Sequence, residues 1–191
     1  MKKAPPPPGD DDLDFTRPGA IPAPRPAPEV VERATEEAAA GTPQLEQSGF
    51  YVSITKRPPG RIPPRNDARY VILVVEDDAD LGQMLIDIFM TAGFEVRWAS
   101  NRAEINTELK HGTELDLVLL DIVLPDADGL QVLERLRQHP RIGNLPVILM
   151  TGKSAPHDVV KGLAAGANGY VSKPFKMSAL VRAVNEVLGN A

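Results

Sequence analysis

From Tyr70 onward, short apolar runs alternate with amphipathic segments, and this alternation restricts the fold more than any other feature of the chain. Val71 to Val75, Phe94 to Trp98, Leu115 to Leu120, Val147 to Met150 and Gly169 to Ser172 read as strands. The first, third and fourth are apolar enough to be buried on both faces, as parallel strands covered by helices are. Between the runs, Leu81, Leu85, Ile88 and Phe89 recur at helical spacing, as do Leu130, Leu133 and Leu136, and Leu180, Val184 and Leu188. Ser100 or Asn101 can cap the second helix with Glu104 in its first turn, Ser178 lies near the start of the last, and Gly93 and Gly189 mark helix ends. The expected fold is α/β: a doubly wound, five-stranded parallel sheet with five helices. In such sheets sites gather beyond the carboxyl ends of the strands, where the strand order switches.

Composition divides the chain at this same point. Of 19 prolines, 14 lie in residues 1–69 and 5 in residues 70–191. Residues 1–28, with Pro5 to Pro8, an acidic run from Asp10 to Asp14 and prolines at every second position from Pro22 to Pro28, predict an extended, largely disordered arm. A solvated spacer is favoured over a docking peptide. Glu29 to Ala40 suits a short helix ending at Gly41, and Phe50 to Thr55 a short strand able to join a sheet edge. Residues 1–69 are therefore expected to be a Pro-rich extension and linker, and residues 70–191 the folded domain.

The 10 basic and 10 acidic side chains of residues 1–69 balance, so the net charge of −5 belongs to the folded part. An acidic domain disfavours phosphate-backbone binding. The basic linker from Lys56 to Arg69 has no aromatic residues interleaved for base stacking, which makes nucleic acid an unlikely partner. With no cysteine, disulfides and thiolate chemistry are excluded. Met1-Lys2-Lys3 runs into prolines rather than an apolar core, so no secretory signal is expected, and no apolar stretch approaches a membrane span. The expected location is the cytoplasm.

The ends of the strands carry the chemistry. The first ends in Glu76-Asp77-Asp78, the third in Asp121, the fourth in Thr151, and the fifth leads into Lys173-Pro174. Acids after an apolar strand are often only solvated loop ends. Acids converging from two neighbouring strands repel, and stay charged only beside a hard cation or a basic group. Magnesium suits such a cluster because it takes oxygen ligands and leaves positions for phosphate oxygens. Lys173 would balance the acids and hold a phosphoryl oxygen, to which Thr151 could donate.

Together these residues make up a known pattern. Residues 70–191 resemble the receiver domain of bacterial two-component response regulators through four segments in the family's order and spacing: Val71 to Asp78; Asp121 with Leu124-Pro125-Asp126-Ala127-Asp128-Gly129; Met150-Thr151-Gly152; and Tyr170 to Phe175. The resemblance implies a flavodoxin-like receiver fold with Asp121 as phosphoacceptor and Mg2+ held by Glu76, Asp77, Asp121 and the Val123 carbonyl. Lys173 and Thr151 would hold the phosphoryl group, and Thr151 and Tyr170 would act as switch residues. It also implies a sensor histidine kinase or phosphotransfer protein as donor, a downstream protein partner, and homodimer pairing through the fourth helix, fifth strand and fifth helix of the domain. Such a protein catalyses only its own phosphorylation and slow dephosphorylation. Val123 cannot orient an attacking water, and Lys153 is basic where acidic or polar residues assist hydrolysis, so the phosphoryl state is expected to be long-lived.

Three further readings follow from the residues. Gly152-Lys153-Ser154 resembles the end of a P-loop, but the glycine needed five positions earlier is Val147. His111, His139 and His157 lack metal-ligand spacing and are expected at the surface, and Gly162, Gly166 and Gly169 form no dinucleotide fingerprint. The alternative function, from a different class, is a phosphorylation-independent scaffold or adaptor that binds partners through its Pro-rich arm.

Overall fold

A computed structural model describes residues 14–16, 27–33, 35–36, 52–54, 62–64, 69–152 and 156–190. Residues 28–33 and 35–36 are helical (α1) and exposed. They begin one residue before the helix expected from Glu29 to Ala40, whose end at Gly41 lies outside the described residues, as does Lys153. The remaining elements are β1 (Val52–Ile54), β2 (Val71–Val75), α2 (Ala79–Thr91), β3 (Glu95–Ala99), α3 (Arg102–Lys110), β4 (Leu117–Asp121), α4 (Gly129–Gln138), β5 (Val147–Thr151), α5 (Pro156–Ala164), β6 (Gly169–Ser172) and α6 (Met177–Leu188). The sheet order is β1-β6-β5-β4-β2-β3. All pairings are parallel except β1 with β6, where Val52 pairs with Val171 and Ile54 with Gly169. The five-stranded parallel sheet is thus present, and the segment foreseen as an edge strand adds a sixth, antiparallel one.

Every residue of β2, β4 and β5 is buried, because helices cover both faces of the sheet. Ile105 and Leu109 of α3, Leu133 and Leu136 of α4 and Leu163 of α5 form one core layer with Val118, Leu120, Val147 and Leu149. Leu85 and Phe89 of α2 and Leu180, Val184 and Leu188 of α6 form the other with Ile72, Leu119 and Met150. A side chain such as Leu119 touches apolar neighbours on all sides, so truncating it to alanine should cost about 2–5 kcal/mol.

Asn101 caps α3 by accepting the Glu104 N–H at 3.1 Å, while the Glu104 carboxylate accepts back from Ser100 at 2.7 Å. Gly93 and Gly189 end α2 and α6 with φ of 92° and 72°, a backbone region that favours glycine. Ser178 lies inside the first turn of α6, whose N-cap is Lys176, and makes no cap bond there.

The histidine expectation needs correcting at one position. His111 is exposed, but His139 is 9% exposed. It ends α4, where its Nδ1 accepts the N–H groups of Arg141 and Ile142 and burial lowers its pKa. The side chain of His157 lies outside the described residues.

The arm differs from expectation at residues 14–16, which pack on the domain, with Phe15 only 2% exposed and part of the α3–α4 core layer. A second tie lies nearer the domain: the Ile62 N–H donates to the Leu188 carbonyl at 2.9 Å, and the Ile62 carbonyl accepts from the Tyr70 hydroxyl.

Candidate phosphoryl and cation site

The chain leaves β2 for β3 on one side and returns through β4 on the other, so the order switches between β2 and β4. The carboxyl ends of those two strands deliver Glu76-Asp77 and Asp121 to the same place. Glu76 is 1% exposed and Asp121 5%, whereas Asp77 is exposed. Oxygens of the three carboxylates lie within 4.8 Å of one another. The third acid of the loop serves the backbone instead. Asp78 caps α2, accepting the N–H groups of Asp80 and Leu81 at 3.0 Å each.

Lys173 bridges the cluster. Its ammonium donates to Glu76 Oε2 and Asp121 Oδ2, both at 2.6 Å. The Lys173 N–H donates to the Thr151 carbonyl at 2.7 Å, and the Lys173–Pro174 bond is cis. Burial opposes the lysine's charge, but hydrogen bonds to Asp121 and Glu76 and their negative charges outweigh it and raise its pKa. Burial pushes the Glu76 carboxyl up, and Lys173 only partly pulls it back. The other Asp121 oxygen, Oδ1, accepts the Val123 N–H at 2.9 Å, so both oxygens have a fixed direction.

The loop after Asp121 is held tightly. Asp128 caps α4 through the Leu130 N–H, Asp126 accepts the Arg102 N–H at 3.0 Å, and Val123 and Asp128 form an isolated bridge. Gly129 closes the loop: a Cβ there would stand 2.1 Å from the Asp121 carbonyl oxygen. This explains the acids and the glycine of the 126–129 segment, which hold the backbone rather than a ligand.

Thr151 is fully buried at the end of β5, and Tyr170 is fully buried in β6. The tyrosine ring occupies space left by Gly162, whose Cβ would lie 3.4 Å from it and 2.5 Å from Leu149 Cδ1. Gly162 therefore has a packing role. The Val123 side chain is 50% exposed and brings no polar group to the site.

Two contributors escaped the sequence reading. Trp98, the chain's single tryptophan, donates from its indole N–H to the Glu76 carbonyl at 2.9 Å and steadies the acidic turn. Its position on an edge strand gave no sign of this. The other is Gly82, where a Cβ would stand 2.8 Å from the Trp98 ring.

The arrangement pairs hard oxygen donors suited to a divalent cation with an ammonium and a buried hydroxyl residue. No helix among the described residues is long and apolar enough to cross a membrane.

Comparison with known proteins agrees. The family model described as "Response regulator receiver domain" matches residues 72–185. The transcriptional regulatory protein GltR of Pseudomonas aeruginosa is 36% identical over 120 residues, which is 63% of this chain and 49% of GltR. The swarming motility regulation protein RssB of Serratia marcescens is 39% identical, over 61% of this chain and 52% of its own length. The chain thus spans about half the length of these curated relatives. Among solved structures, a putative response regulator from Chloroflexus aurantiacus superimposes with a TM-score of 0.58 at 33% identity, covering 63% of this chain and 98% of that one.

Proposed function

Because the match over residues 72–185 makes this chain a member of the response regulator receiver family, we propose that it accepts a phosphoryl group on Asp121 and signals through protein contacts. Residues 70–191 are the receiver unit and residues 1–69 an extension to it. The observation that carries this reading is the Lys173 ammonium, 2.6 Å from both Glu76 and Asp121, beside a third carboxylate.

In the proposed reaction an Asp121 carboxylate oxygen attacks the phosphorus of a phosphohistidine on a sensor kinase or phosphotransfer protein. The P–O bond forms as the P–N bond breaks, and the imidazole leaves with the electron pair. The Val123 N–H fixes the nucleophile's direction, and Lys173 moves part of its interaction from Asp121 to a phosphoryl oxygen. Thr151 donates its hydroxyl to the same group. Glu76, Asp77, Asp121 and the Val123 carbonyl would hold magnesium, which when bound offsets the charge on the transferring group.

Thr151 and Tyr170 form the switch pair. Phosphorylation biases them between two arrangements and so alters the face of α5, β6 and α6, where β1 is the outermost strand. Val123 supplies no group to orient water, which supports slow hydrolysis.

The test is intact mass after incubation with acetyl phosphate, with and without magnesium. Wild type with magnesium should gain one phosphate, and Asp121→Asn none. Equal gain in both proteins would overturn the assignment, and retention of partner binding by Asp121→Asn would favour a phosphorylation-independent adaptor.

A further inference from the structure

Residues 14–16 are held on the α3–α4 face by contacts of a kind that reads a peptide. Phe15 is 2% exposed and Thr16 3%. The Phe15 ring packs in one core layer with Ile105, Leu136 and Ile142, and its centroid lies 5.7 Å from that of His139. Asn106 reads backbone and side chain together: its Oδ1 accepts the Phe15 N–H at 2.7 Å, and its Nδ2 donates to Asp14 Oδ1 at 3.0 Å. Arg102 donates from Nε to the Thr16 hydroxyl and from Nη2 to the Thr16 carbonyl at 3.5 Å, and lies 3.9 Å from the Asp14 carboxylate.

The segment is also prearranged. Asp14 Oδ1 accepts the Thr16 N–H at 3.0 Å and the Thr16 hydroxyl, a local turn with Phe15 at its centre. Burial works against the Asp14 charge, but the bonds from Thr16 and Asn106 and the Arg102 charge lower its pKa to about 2. An apolar anchor, a side-chain amide on the main chain and a cation on the flanking acid form a recognition set.

We propose that this pocket between α3 and α4 is a docking site for an Asp-Phe-Thr peptide, and that its ligand is this chain's own Asp14-Phe15-Thr16. The inference stands independently of phosphoryl transfer. A tethered ligand experiences an effective concentration on the order of a millimolar, so even a weak peptide stays seated in cis. Untethered, the same peptide binds and leaves reversibly, and a partner carrying this pattern competes with the arm.

The test uses full-length chain and a fluorescein-labelled peptide of residues 11–19. Wild type should show no binding below about 100 μM, because the tethered copy fills the pocket. Phe15→Ala should bind the peptide saturably, and adding Asn106→Ala or Arg102→Ala should weaken binding at least tenfold. A peptide with alanine in place of its phenylalanine should not bind. Failure of folded Phe15→Ala to bind, or equal binding to wild type and Phe15→Ala, overturns the proposal. Should Phe15→Ala fail to fold, a protease site inserted after Gly19 allows the folded wild-type chain to be nicked. Exchange of the released fragment for labelled peptide supports the proposal, and a nicked protein that cannot take up peptide overturns it. Sedimentation decides the geometry: a monomer supports docking in cis, whereas a dimer lost in Phe15→Ala would assign the ligand to a second copy and overturn the cis assignment.

Discussion

Two partly buried cations sit at opposite ends of the sheet and are held in opposite ways. Lys173, at the carboxyl end, lies between two carboxylates. Arg137, at the end of α4, meets neutral acceptors near the amino ends of β5 and β6 among the described residues. It donates to the carbonyls of Gly166 at 2.9 Å, Gly143 at 3.0 Å and Leu145 at 2.8 Å, and to Asn168 Oδ1 at 3.0 Å. Burial alone lowers its pKa to about 10, while the carboxylates raise that of Lys173. A guanidinium fork distributed over several carbonyls fixes loops in place. An ammonium between carboxylates can transfer part of its interaction to an incoming anion. The first arrangement is structural and the second is suited to chemistry.

Substitution should separate them. Arg137→Met strips three partly buried carbonyls and the Asn168 amide oxygen of their donor, each costing about 1 kcal/mol, so we expect roughly 4 kcal/mol of lost stability in urea unfolding. Phosphoryl uptake by the folded fraction should stay within about twofold of wild type. Lys173→Met should be told apart by its chemistry: uptake from acetyl phosphate by the folded fraction should fall at least a hundredfold, a loss typical of removing one preorganised charge, while leaving the buried Glu76 and Asp121 without their counter-charge costs about 3–5 kcal/mol of stability as well. Loss of uptake in folded Arg137→Met would erase the distinction.

The same contrast holds for two glycines flanking the site. At Gly129 a Cβ would meet backbone atoms, 2.1 Å from the Asp121 oxygen and 2.8 Å from the Ile122 Cα. Gly129→Ala must shift the loop that aims Asp121, and we expect about 2–3 kcal/mol of destabilisation and roughly tenfold slower uptake. At Gly152 a Cβ meets nothing within 4 Å among the described residues. Gly152→Ala should leave stability within about 0.5 kcal/mol and uptake within twofold.

These contrasts also mark what the sequence could reveal. Apolar runs located β2 to β6, because a sheet covered on both faces imposes nearly continuous apolar strands, while apolar stripes located α2, α4 and α6 and a cap located the start of α3. The acids at the strand ends were legible because the topology sends two carboxyl ends to one switch point. Arg137 was not, since an arginine in the last turn of a helix usually faces water, and only the loops after α4 and α5 turn it inward. Phe15 was hidden for a related reason. It is one of two apolar residues, with Leu13, in an acidic segment of a Pro-rich stretch, and its burial depends on Asn106 and Arg102, some 90 positions away.

The smallest effect we expect is a pair of opposed titrations. Asp14 and Glu76 both face a cation, but Asp14 keeps enough solvent and hydrogen bonding for its ionised form to win, whereas burial disfavours ionisation of Glu76. A carboxyl whose folded pKa lies below its ordinary 3.8 adds stability above that value and loses it as pH falls toward about 2. One whose folded pKa lies above 4.5 has the opposite sign, taking up its proton in the fold before it would in the open chain. Carboxyl carbon shifts followed from pH 7 to 2 should place the Asp14 midpoint near 2 and that of Glu76 above 4.5. In Phe15→Ala the Asp14 midpoint should return toward 3.8 while Glu76 is unmoved, because only the docked segment brings Asp14 to Asn106 and Arg102. An Asp14 midpoint that ignores Phe15 would mean that its local turn with Thr16, rather than the receiver face, sets its acidity.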